Sequence, residues 1–178
     1  IRASYMGGEA AHGIEARHDQ AFNAGEPEPT TCFTQPIGMS GSFDRELIRK
    51  CGKAVGEEAR ALFTRGNRGG LCRWAPTVDM ERDPRWGRNE EAYGEDPYLT
   101  SVFCKAAVEG YQGDDLSAEG SIAACLKHFV GYGASEAGRD YVYTEISDQA
   151  LWDTYLPSFH AGVESGAATV MSAFNNIS

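Results

Sequence analysis

Apolar residues recur at every fourth position over residues 44–65, and this spacing predicts an amphipathic helix. Gly66 follows the last apolar position, where a glycine is typical of a helix end. We expect the apolar stripe to face the core of the protein. It consists of Phe43, Leu47, Cys51, Val55, Ala59 and Phe63, and is widened by Ile48 and Leu62.

Two further helices are predicted later in the chain. The first has Asp96 as its N-cap and Pro97 at its first position, and both residues favour a helix start. Its expected buried face contains Leu99, Val102, Phe103, Ala106, Ala107 and Gly110. The second covers residues 147–164, and Pro157 in its middle predicts a kink because proline interrupts the helical hydrogen bonds. Its expected apolar face contains Trp152, Tyr155, Leu156, Phe159 and Val163.

Three short apolar runs, at residues 70–76, 122–128 and 167–174, are predicted to be strands. Because they do not alternate cleanly, we expect them to be buried on both faces, as in a parallel sheet. Strands that alternate with helices predict an α/β fold, either a (β/α)₈ barrel or a doubly wound sheet. No G-x-G-x-x-G motif follows a strand, which disfavours the dinucleotide-binding sheet. A full barrel needs ~250 residues, so 178 residues predict an incomplete (β/α)₈ barrel of TIM type.

Composition narrows the possible partners. The formal net charge of −10 argues against a nucleic-acid surface, and no apolar run approaches the ~20 residues of a membrane span. Five cysteines at wide spacings give no support for a disulfide framework or a thiolate zinc site. We interpret Cys51, Cys104 and Cys125 as small buried apolar residues. The four histidines are equally scattered, so neither a metal site nor a cofactor is predicted.

The most highly charged stretch is the loop over residues 77–97, which contains seven carboxylates and three arginines. Its length and opposite charges predict a surface lid that is ordered by its own ion pairs. Any single carboxylate in this loop is expected to be exposed to solvent rather than to take part in catalysis. The spacing of Asp79, Glu81 and Asp83 resembles a calcium loop, but the glycine and the bidentate acid that such a loop needs are missing.

Lys127 and His128 end the second predicted strand, and Phe174 with two asparagines ends the third. A lysine in a barrel mouth needs an anion, a carboxylate or a hydroxyl-rich ligand, unless it extends into solvent. Neighbouring strand residues point to opposite faces, so Lys127 and His128 are not both expected to reach one ligand. An aromatic ring beside amides suits the apolar face and hydroxyl rim of a sugar, although it also occurs in many cores.

Taken in order, several motifs resemble the N-terminal barrel domain of the glycoside hydrolase family 3 β-glycosidases, over essentially the whole chain. The motifs that carry the resemblance lie at residues 8–13, 36–39, 83–88, 93–97, 127–129 and 170–175. The resemblance implies hydrolysis of O-glycosyl bonds by a retaining mechanism that releases terminal β-D-glucosyl or β-D-xylosyl units. In such enzymes two carboxyl groups stand ~5–5.5 Å apart. The implied substrate is an oligosaccharide or another β-glycoside.

The resemblance also implies what each part of this chain contributes. The aspartate nucleophile and the glutamate acid/base are expected beyond residue 178, so no catalytic residue is predicted here. Residues 1–178 are expected to be part of the N-terminal catalytic barrel domain, with the rest of the barrel and a second domain outside this sequence. A substrate-binding role is implied for Glu9, Arg88, Lys127, His128, Met171 and Phe174.

Two positions depart from the commonest pattern of the family. Glu9 stands where glucosidases mostly have aspartate, and its longer side chain resembles the β-xylosidase branch, where it crowds a C6 hydroxymethyl group. Phe174 stands where many members have a tyrosine that supports the nucleophile. Both glucoside and xyloside specificity therefore remain open. The missing leader and the free cysteines favour the bacterial cytoplasm.

Three other functions stay open on the sequence alone. The full protein could be a β-xylosidase or arabinofuranosidase rather than a β-glucosidase. Lys127 could be the Schiff-base lysine of an aldolase-like barrel, although no phosphate-binding glycine loop accompanies it. The chain could also belong to a non-catalytic sugar-binding module. In every glycosidase version we expect this 178-residue chain to be inactive without the downstream carboxylates.

Overall fold

A computed structural model describes residues 6–15, 29–65 and 70–178 of the chain. The helices in this part are α1 (Pro36–Ser40), α2 (Arg45–Thr64), α3 (Pro97–Gln112), α4 (Asp148–Ala150) and α5 (Pro157–Glu164). The strands are β1 (Met6–Glu9), β2 (Cys72–Trp74), β3 (Cys125–Phe129) and β4 (Thr169–Ser172). A π-helical turn (Leu151–Tyr155) connects α4 to α5, and a short 3₁₀ helix (Asn89–Glu91) precedes α3.

The strands run parallel and follow one another in chain order. β1 pairs with β2, and β3 pairs with β4. Two single bridges, Cys72 with Ala123 and Thr77 with Lys127, connect the pairs through β2 and β3. The predicted α/β alternation with parallel strands is therefore confirmed, while the strands of residues 6–15, 29–65 and 70–178 do not close into a barrel.

The helix starts follow the local sequence. Asp44 caps α2 by accepting hydrogen bonds from the backbone N–H groups of Glu46 and Leu47. Asp96 accepts one from the N–H of Leu99, and Pro97 occupies the first turn of α3. Both predicted helices are confirmed: α2 begins and ends within one residue of the prediction, and α3 begins at the predicted residue. The predicted helix end at Gly66 lies outside the described residues.

The buried face of α2 differs from the predicted stripe. Ile48 and Leu62 are buried with Val55, whereas Phe43 and Phe63 are exposed. A strict four-residue repeat advances about 40° around a helix at every step, because a turn has 3.6 residues. Phe63 therefore points away from the face that Val55 buries, whereas Phe43 precedes the N-cap Asp44 and lies outside the helix. The buried residues of α2 pack against Phe103, Ala107, Val108 and Tyr111 of α3 in one apolar core.

The third predicted helix is interrupted at the predicted place. A hydrogen bond of 2.9 Å from the N–H of Leu156 to the carbonyl of Leu151 closes a π turn, and α5 begins at Pro157. The predicted kink is confirmed. The prediction of one continuous apolar face is wrong, because the wider π turn rotates the residues that precede α5 relative to those within it. Phe159 is buried, while Trp152 is 70% exposed.

The strands are shorter than predicted and their burial is uneven. β3 is buried over its first four residues, as expected. β4 alternates between half-buried and exposed residues, which corrects the expectation of two buried faces, because the described residues provide β4 with a partner on one edge only. β1 was not predicted, since its sequence Met-Gly-Gly-Glu contains no apolar run. The Cys104 and Cys125 side chains are buried, and Cys51 is half-buried.

A close backbone approach between α2 and α3 depends on glycines. A Cβ atom on Gly110 would lie 2.4 Å from the carbonyl oxygen of Arg49 and 3.1 Å from the Cα of Gly52. These neighbours are backbone atoms, so a clash can be relieved only by separating the helices. Alanine is otherwise the better helix former by ~1 kcal/mol, so the packing has to override the intrinsic preference.

We predict that Gly110→Ala lowers the free energy of unfolding by ~1–3 kcal/mol, the usual cost of overpacking. The matched control is Gly87→Ala, because no atom lies within 4 Å of a Cβ built on Gly87. Its effect should stay within ~0.5 kcal/mol. Urea unfolding followed by circular dichroism measures both variants, and equal stability of Gly110→Ala and the wild type would contradict this packing.

Candidate functional site

The carboxyl ends of the strands surround a cavity of about 460 Å³. Glu9 ends β1, Lys127 and His128 lie near the end of β3, and Arg88 comes from the loop that follows β2. The residues that line the cavity are Glu9, Ala11, His12, Glu15, Gln35, Trp74, Arg88, Glu91, Lys127, His128, Met171 and Phe174. The structure thus brings together all six residues that the sequence marked as substrate-binding.

The Glu9 carboxylate is held from two sides. Its Oε1 accepts hydrogen bonds from the backbone N–H groups of Ala10 and Ala11, at 2.9 and 3.0 Å. Its Oε2 is paired with the Lys127 ammonium group. The side chain therefore bends back over the end of β1, and its position is set by the backbone as well as by the lysine.

Lys127 is the most deeply buried cation of the cavity, with 3% of its side chain exposed. Besides Glu9 it contacts Glu91, with 3.6 Å between Nζ and Oε2. The need for an anion that the sequence predicted is thus met by two carboxylates. The alternative in which Lys127 extends into solvent is wrong, because its ammonium group is enclosed by its counterions.

His128 lines the same cavity as Lys127, which corrects the expectation of opposite faces. The pairing of β3 with β4 shifts register between Leu126 and Phe129, so β3 is irregular at this point. Such irregularities redirect side chains at strand ends. The peptide bond between Lys127 and His128 is cis.

Arg88 and Glu91 form a bidentate ion pair. Arg88 Nε and Nη2 donate to the two carboxylate oxygens of Glu91 at 2.8 and 2.9 Å. The 3₁₀ helix Asn89–Glu91 makes one turn in three residues, and so places positions 88 and 91 on the same side. The guanidinium group also lies over the Tyr132 ring, 5.4 Å from its centroid. Both residues are thereby fixed at the cavity wall.

Glu91 is a charged binding-site candidate that sequence reasoning missed. Arg88 and Lys127 carry two positive charges, and Glu9 supplies only one negative charge, so Glu91 completes the balance. Burial by itself raises the pKa of Glu91, but the hydrogen bonds from Arg88 and the charge of Lys127 outweigh it and leave the pKa lowered. The three-residue spacing from Arg88 was the available signal.

Asp79 shows that the charged loop is more than a surface lid. Val78 donates its backbone N–H to the carbonyl of Lys127 at 2.7 Å, which extends the pairing of β2 and β3 into the loop. Asp79 is therefore placed beside His128, with its Oδ2 2.8 Å from the ring Nδ1. Asp79 is buried, contrary to the expected exposure. The predicted ion pairs within the loop are present between Arg85 and Asp83 and between Arg88 and Glu91.

Glu81 is a second carboxylate of this loop that is not fully exposed. Desolvation raises its pKa to about 7, and the negative charges of Glu90, Asp79 and Glu95 add to the shift. One of its oxygens, Oε1, is buried without a hydrogen-bond partner among the described residues. The protonated and ionised forms of Glu81 are thus present in similar amounts at neutral pH.

Another part of the cavity wall is apolar. Trp74, Met171 and Phe174 line it, and Phe174 packs against the Tyr141 ring with 4.9 Å between the centroids. The cavity thus combines a charged, hydrogen-bonding side with an aromatic one. Within the described part of the chain no three His, Cys, Asp or Glu side chains are grouped as metal ligands, and no helix is long and apolar enough to cross a membrane.

Comparison with known proteins gives a consistent result. The sequence profile described as "Glycosyl hydrolase family 3 N terminal domain" matches residues 19–178. A periplasmic beta-glucosidase of Salmonella typhimurium is 37% identical over 147 residues, which are 83% of this chain and 18% of that protein. Beta-D-xylosidase 1 of Arabidopsis thaliana is 35% identical over 173 residues, 95% of this chain and 22% of that protein.

A solved structure is similar as well. The crystal structure of a beta-glucosidase from Listeria innocua in complex with isofagomine superposes with a TM-score of 0.77 at 43% sequence identity. The match covers 83% of this chain and 20% of that protein. The chain thus spans about a fifth of the length of the relatives that it matches.

We predict that Glu91→Gln destabilises the protein by ~1–3 kcal/mol, because it removes one of two counterions of buried Lys127. The neighbouring exposed residue provides the matched control, Glu90→Gln, which should change stability by less than ~0.5 kcal/mol. Because the pKa of Glu91 is lowered in the folded state, its stabilising effect is present above the ordinary value of 4.5 and is lost as the pH falls through the folded-state pKa.

Urea unfolding at several pH values measures this effect. The stability difference between the wild type and Glu91→Gln should shrink on acidification below the ordinary pKa. A difference that is already absent at neutral pH, or one that matches the Glu90→Gln control, would contradict the proposed counterion role.

Glu81 should show the opposite pH dependence. Its pKa is raised when folded, so ionisation opposes folding increasingly as the pH rises from 4.5 to about 7. We expect Glu81→Gln to gain about 1 kcal/mol relative to the wild type between about pH 5 and about pH 8, after allowance for solvent screening. Unfolding curves of both proteins at the two pH values test this, and an unchanged difference would show that Glu81 ionises freely.

Proposed function

The chain belongs to the glycosyl hydrolase family 3 N-terminal domains, and on this premise we propose that it forms a large part of the sugar-binding site of an exo-acting β-glycosidase. The full protein would hydrolyse O-glycosyl bonds and release terminal non-reducing β-D-glucosyl or β-D-xylosyl units from oligosaccharides or other β-glycosides. Beta-glucosidases and beta-D-xylosidases are both among the relatives, which supports the reaction class.

The observation that carries this proposal is the charge-balanced cluster in the cavity. Arg88 and Lys127 offer N–H donors, while Glu9 and Glu91 offer acceptors, and each group is already held by its partners. A sugar hydroxyl group both donates and accepts, so it can insert among these groups without leaving a charge unpaired. A cavity of about 460 Å³ lies in the range of small-molecule sites.

The apolar side of the cavity fits the other half of a sugar. The C–H groups of a pyranose ring form an apolar face, and Trp74 and Phe174 present aromatic surface to the cavity. Met171 adds a polarisable, adaptable side chain beside them. Substrate-binding roles for Glu9, Arg88, Lys127, His128, Met171 and Phe174 therefore remain our proposal, and we add Glu91 to them.

The chemistry itself would come from outside this sequence. We propose that the strands β1 to β4 are the first part of a TIM-type (β/α)₈ barrel within the N-terminal catalytic domain. An aspartate nucleophile and a glutamate acid/base would be contributed by downstream residues of the longer protein, in a retaining mechanism with two carboxyl groups. The charges of the cavity would orient the sugar ring between them.

The choice between glucoside and xyloside depends on Glu9. Its carboxylate is fixed by Ala10, Ala11 and Lys127, so it cannot easily swing aside to admit a C6 hydroxymethyl group. This supports a preference for pentosides, whether the full protein is a β-xylosidase or an arabinofuranosidase. A comparison of rates on matched aryl β-xyloside and β-glucoside decides it, and a large glucoside preference would overturn the proposal.

The alternative of an aldolase-like barrel has weaker support. A Schiff-base lysine is activated by apolar or cationic surroundings, whereas the Lys127 ammonium group is held between two carboxylates. Borohydride trapping with a carbonyl substrate should therefore leave Lys127 unlabelled. A non-catalytic sugar-binding module differs from a glycosidase only in the downstream carboxylates, and turnover by the full protein excludes it.

The cellular compartment remains a prediction. The unpaired cysteines favour the bacterial cytoplasm. The relative from Salmonella typhimurium is named as periplasmic, and that location applies to the relative.

We predict that Lys127→Met weakens binding of a monosaccharide by at least about tenfold, because a charged hydrogen-bond donor is lost. The matched control is Lys105→Met, since Lys105 lies at the surface in an ion pair with Glu164. Isothermal titration calorimetry on this chain measures both. Equal affinities of the two variants would contradict sugar binding at this cavity, provided that circular dichroism shows both to be folded.

The full protein gives the second test. It should release nitrophenol from an aryl β-glucoside or β-xyloside, while the 178-residue chain alone should release none. No release by the full protein from either substrate would refute the glycosidase, and turnover by the isolated chain would refute the placement of the catalytic carboxylates downstream.

A further inference from the structure

Asp79 lies behind the cavity wall and does not line the cavity, yet both of its carboxylate oxygens are directed at His128. Oδ1 accepts a hydrogen bond from the backbone N–H of His128 at 3.2 Å, and Oδ2 lies 2.8 Å from the ring Nδ1. Asp79 and His128 are both almost completely buried, with 3% and 2% of each residue exposed. A carboxylate that contacts both the backbone N–H and the ring nitrogen of one histidine fixes the orientation of its ring.

The other ring nitrogen of His128 meets a group of opposite hydrogen-bonding type. Nε2 lies 3.2 Å from Nη2 of Arg88. A guanidinium group carries only N–H donors, so Nε2 has to accept in this contact. An ionised carboxylate only accepts, so Nδ1 has to carry the proton in the contact with Asp79.

These two neighbours together select one form of the imidazole ring. In the neutral Nδ1–H form both ring nitrogens have a suitable partner. In the Nε2–H form, Nε2–H would face an N–H of Arg88, and the lone pair of Nδ1 would face a carboxylate oxygen. The doubly protonated ring would keep the contact with Asp79 but lose that with Arg88.

The aromatic surroundings hold the ring in place. Tyr132 is fully buried and packs its ring against His128 at a centroid distance of 5.1 Å and an angle of 75°. Arg88 lies over the same Tyr132 ring, and Glu91 holds Arg88 through its bidentate pair. The charged groups around His128 are therefore Asp79, Arg88, Glu91 and the adjacent Lys127.

We propose that Asp79 is a positioning residue that holds His128 as the neutral Nδ1–H imidazole, with Nε2 presented to the cavity as a hydrogen-bond acceptor. The consequence for the ligand rests on the proposed function. A sugar hydroxyl group that displaces the Arg88 N–H from Nε2 donates a hydrogen bond to His128, while Lys127 and the released N–H of Arg88 donate to hydroxyl oxygens. The binding site thus contains an uncharged hydrogen-bond acceptor next to two charged donors. Asp79 makes His128 an acceptor at this position without contacting the ligand.

Nitrogen NMR of the wild-type chain tests the proposal directly. With ¹⁵N-labelled histidine, the signals of His128 are assigned by their loss in His128→Gln. At neutral pH we expect a protonated Nδ1 and an unprotonated Nε2. A protonated Nε2, alone or together with Nδ1, would overturn the proposal, and this result needs no Asp79 variant.

Asp79→Asn shows whether Asp79 causes the tautomer. An asparagine that keeps its oxygen on the backbone N–H of His128 turns its amide N–H₂ towards Nδ1, which then has to accept. In serine proteases, replacing the aspartate that contacts the catalytic histidine by asparagine likewise gives the histidine the wrong tautomer. We expect the ring proton to move to Nε2, whereas the control Asp83→Asn, in the same loop but paired with Arg85, should leave the spectrum unchanged.

Sugar binding separates this inference from the proposed function. If Asp79→Asn moves the proton, the affinity for a monosaccharide should fall by at least about tenfold. A wild-type chain with the Nδ1–H ring but no measurable sugar binding would contradict the proposed function and support the positioning role. An unchanged tautomer in a folded Asp79→Asn variant would contradict the positioning role alone.

Discussion

The burial of the Lys127 ammonium group is the constraint on which the site depends. A buried charge without a partner is costly, and one removed from water needs both counterions and hydrogen bonds. Glu9 from the end of β1 and Glu91 from the loop after β2 meet this need. One cation thereby connects three segments that are far apart in the chain, and the position of each segment is fixed by its contribution to the same charge balance.

The helices hold the strand ends in the arrangement that this balance requires. The core between α2, α3 and the strands is continuous, and it includes Phe159 of α5. Gln112 at the end of α3 joins β3 and β4 through its side chain, because its Oε1 accepts from the backbone N–H groups of Ala124 and Ala168. Tyr111 donates its hydroxyl hydrogen to the carbonyl of Ala10, directly behind Glu9. The charged site is therefore supported by ordered contacts on the side away from the cavity.

Much of this could be predicted from the sequence, and the rest has identifiable causes. The helix starts at Asp44 and Asp96 and the break at Pro157 follow from local chemistry, which a single sequence displays. The buried face of α2 and the burial of Asp79 do not follow from local chemistry, because they depend on which residues each side chain packs against in the fold. β1 was invisible because Gly7 and Gly8 give it no apolar pattern, although it carries Glu9. The resemblance in the motifs identified the cavity residues, and only the structure showed that Glu91 belongs with them.

The double role of Glu9 has a consequence for how this pocket can evolve. The same carboxylate determines the room at one end of the cavity and neutralises Lys127, while two backbone amides hold it in place. A shorter side chain at position 9 would enlarge the pocket but leave the ammonium group less well compensated. Changes in the size of the accepted sugar are thus coupled to the electrostatic stability of the fold, because a shortened side chain admits a bulkier ring safely only if it keeps its negative charge within reach of Lys127.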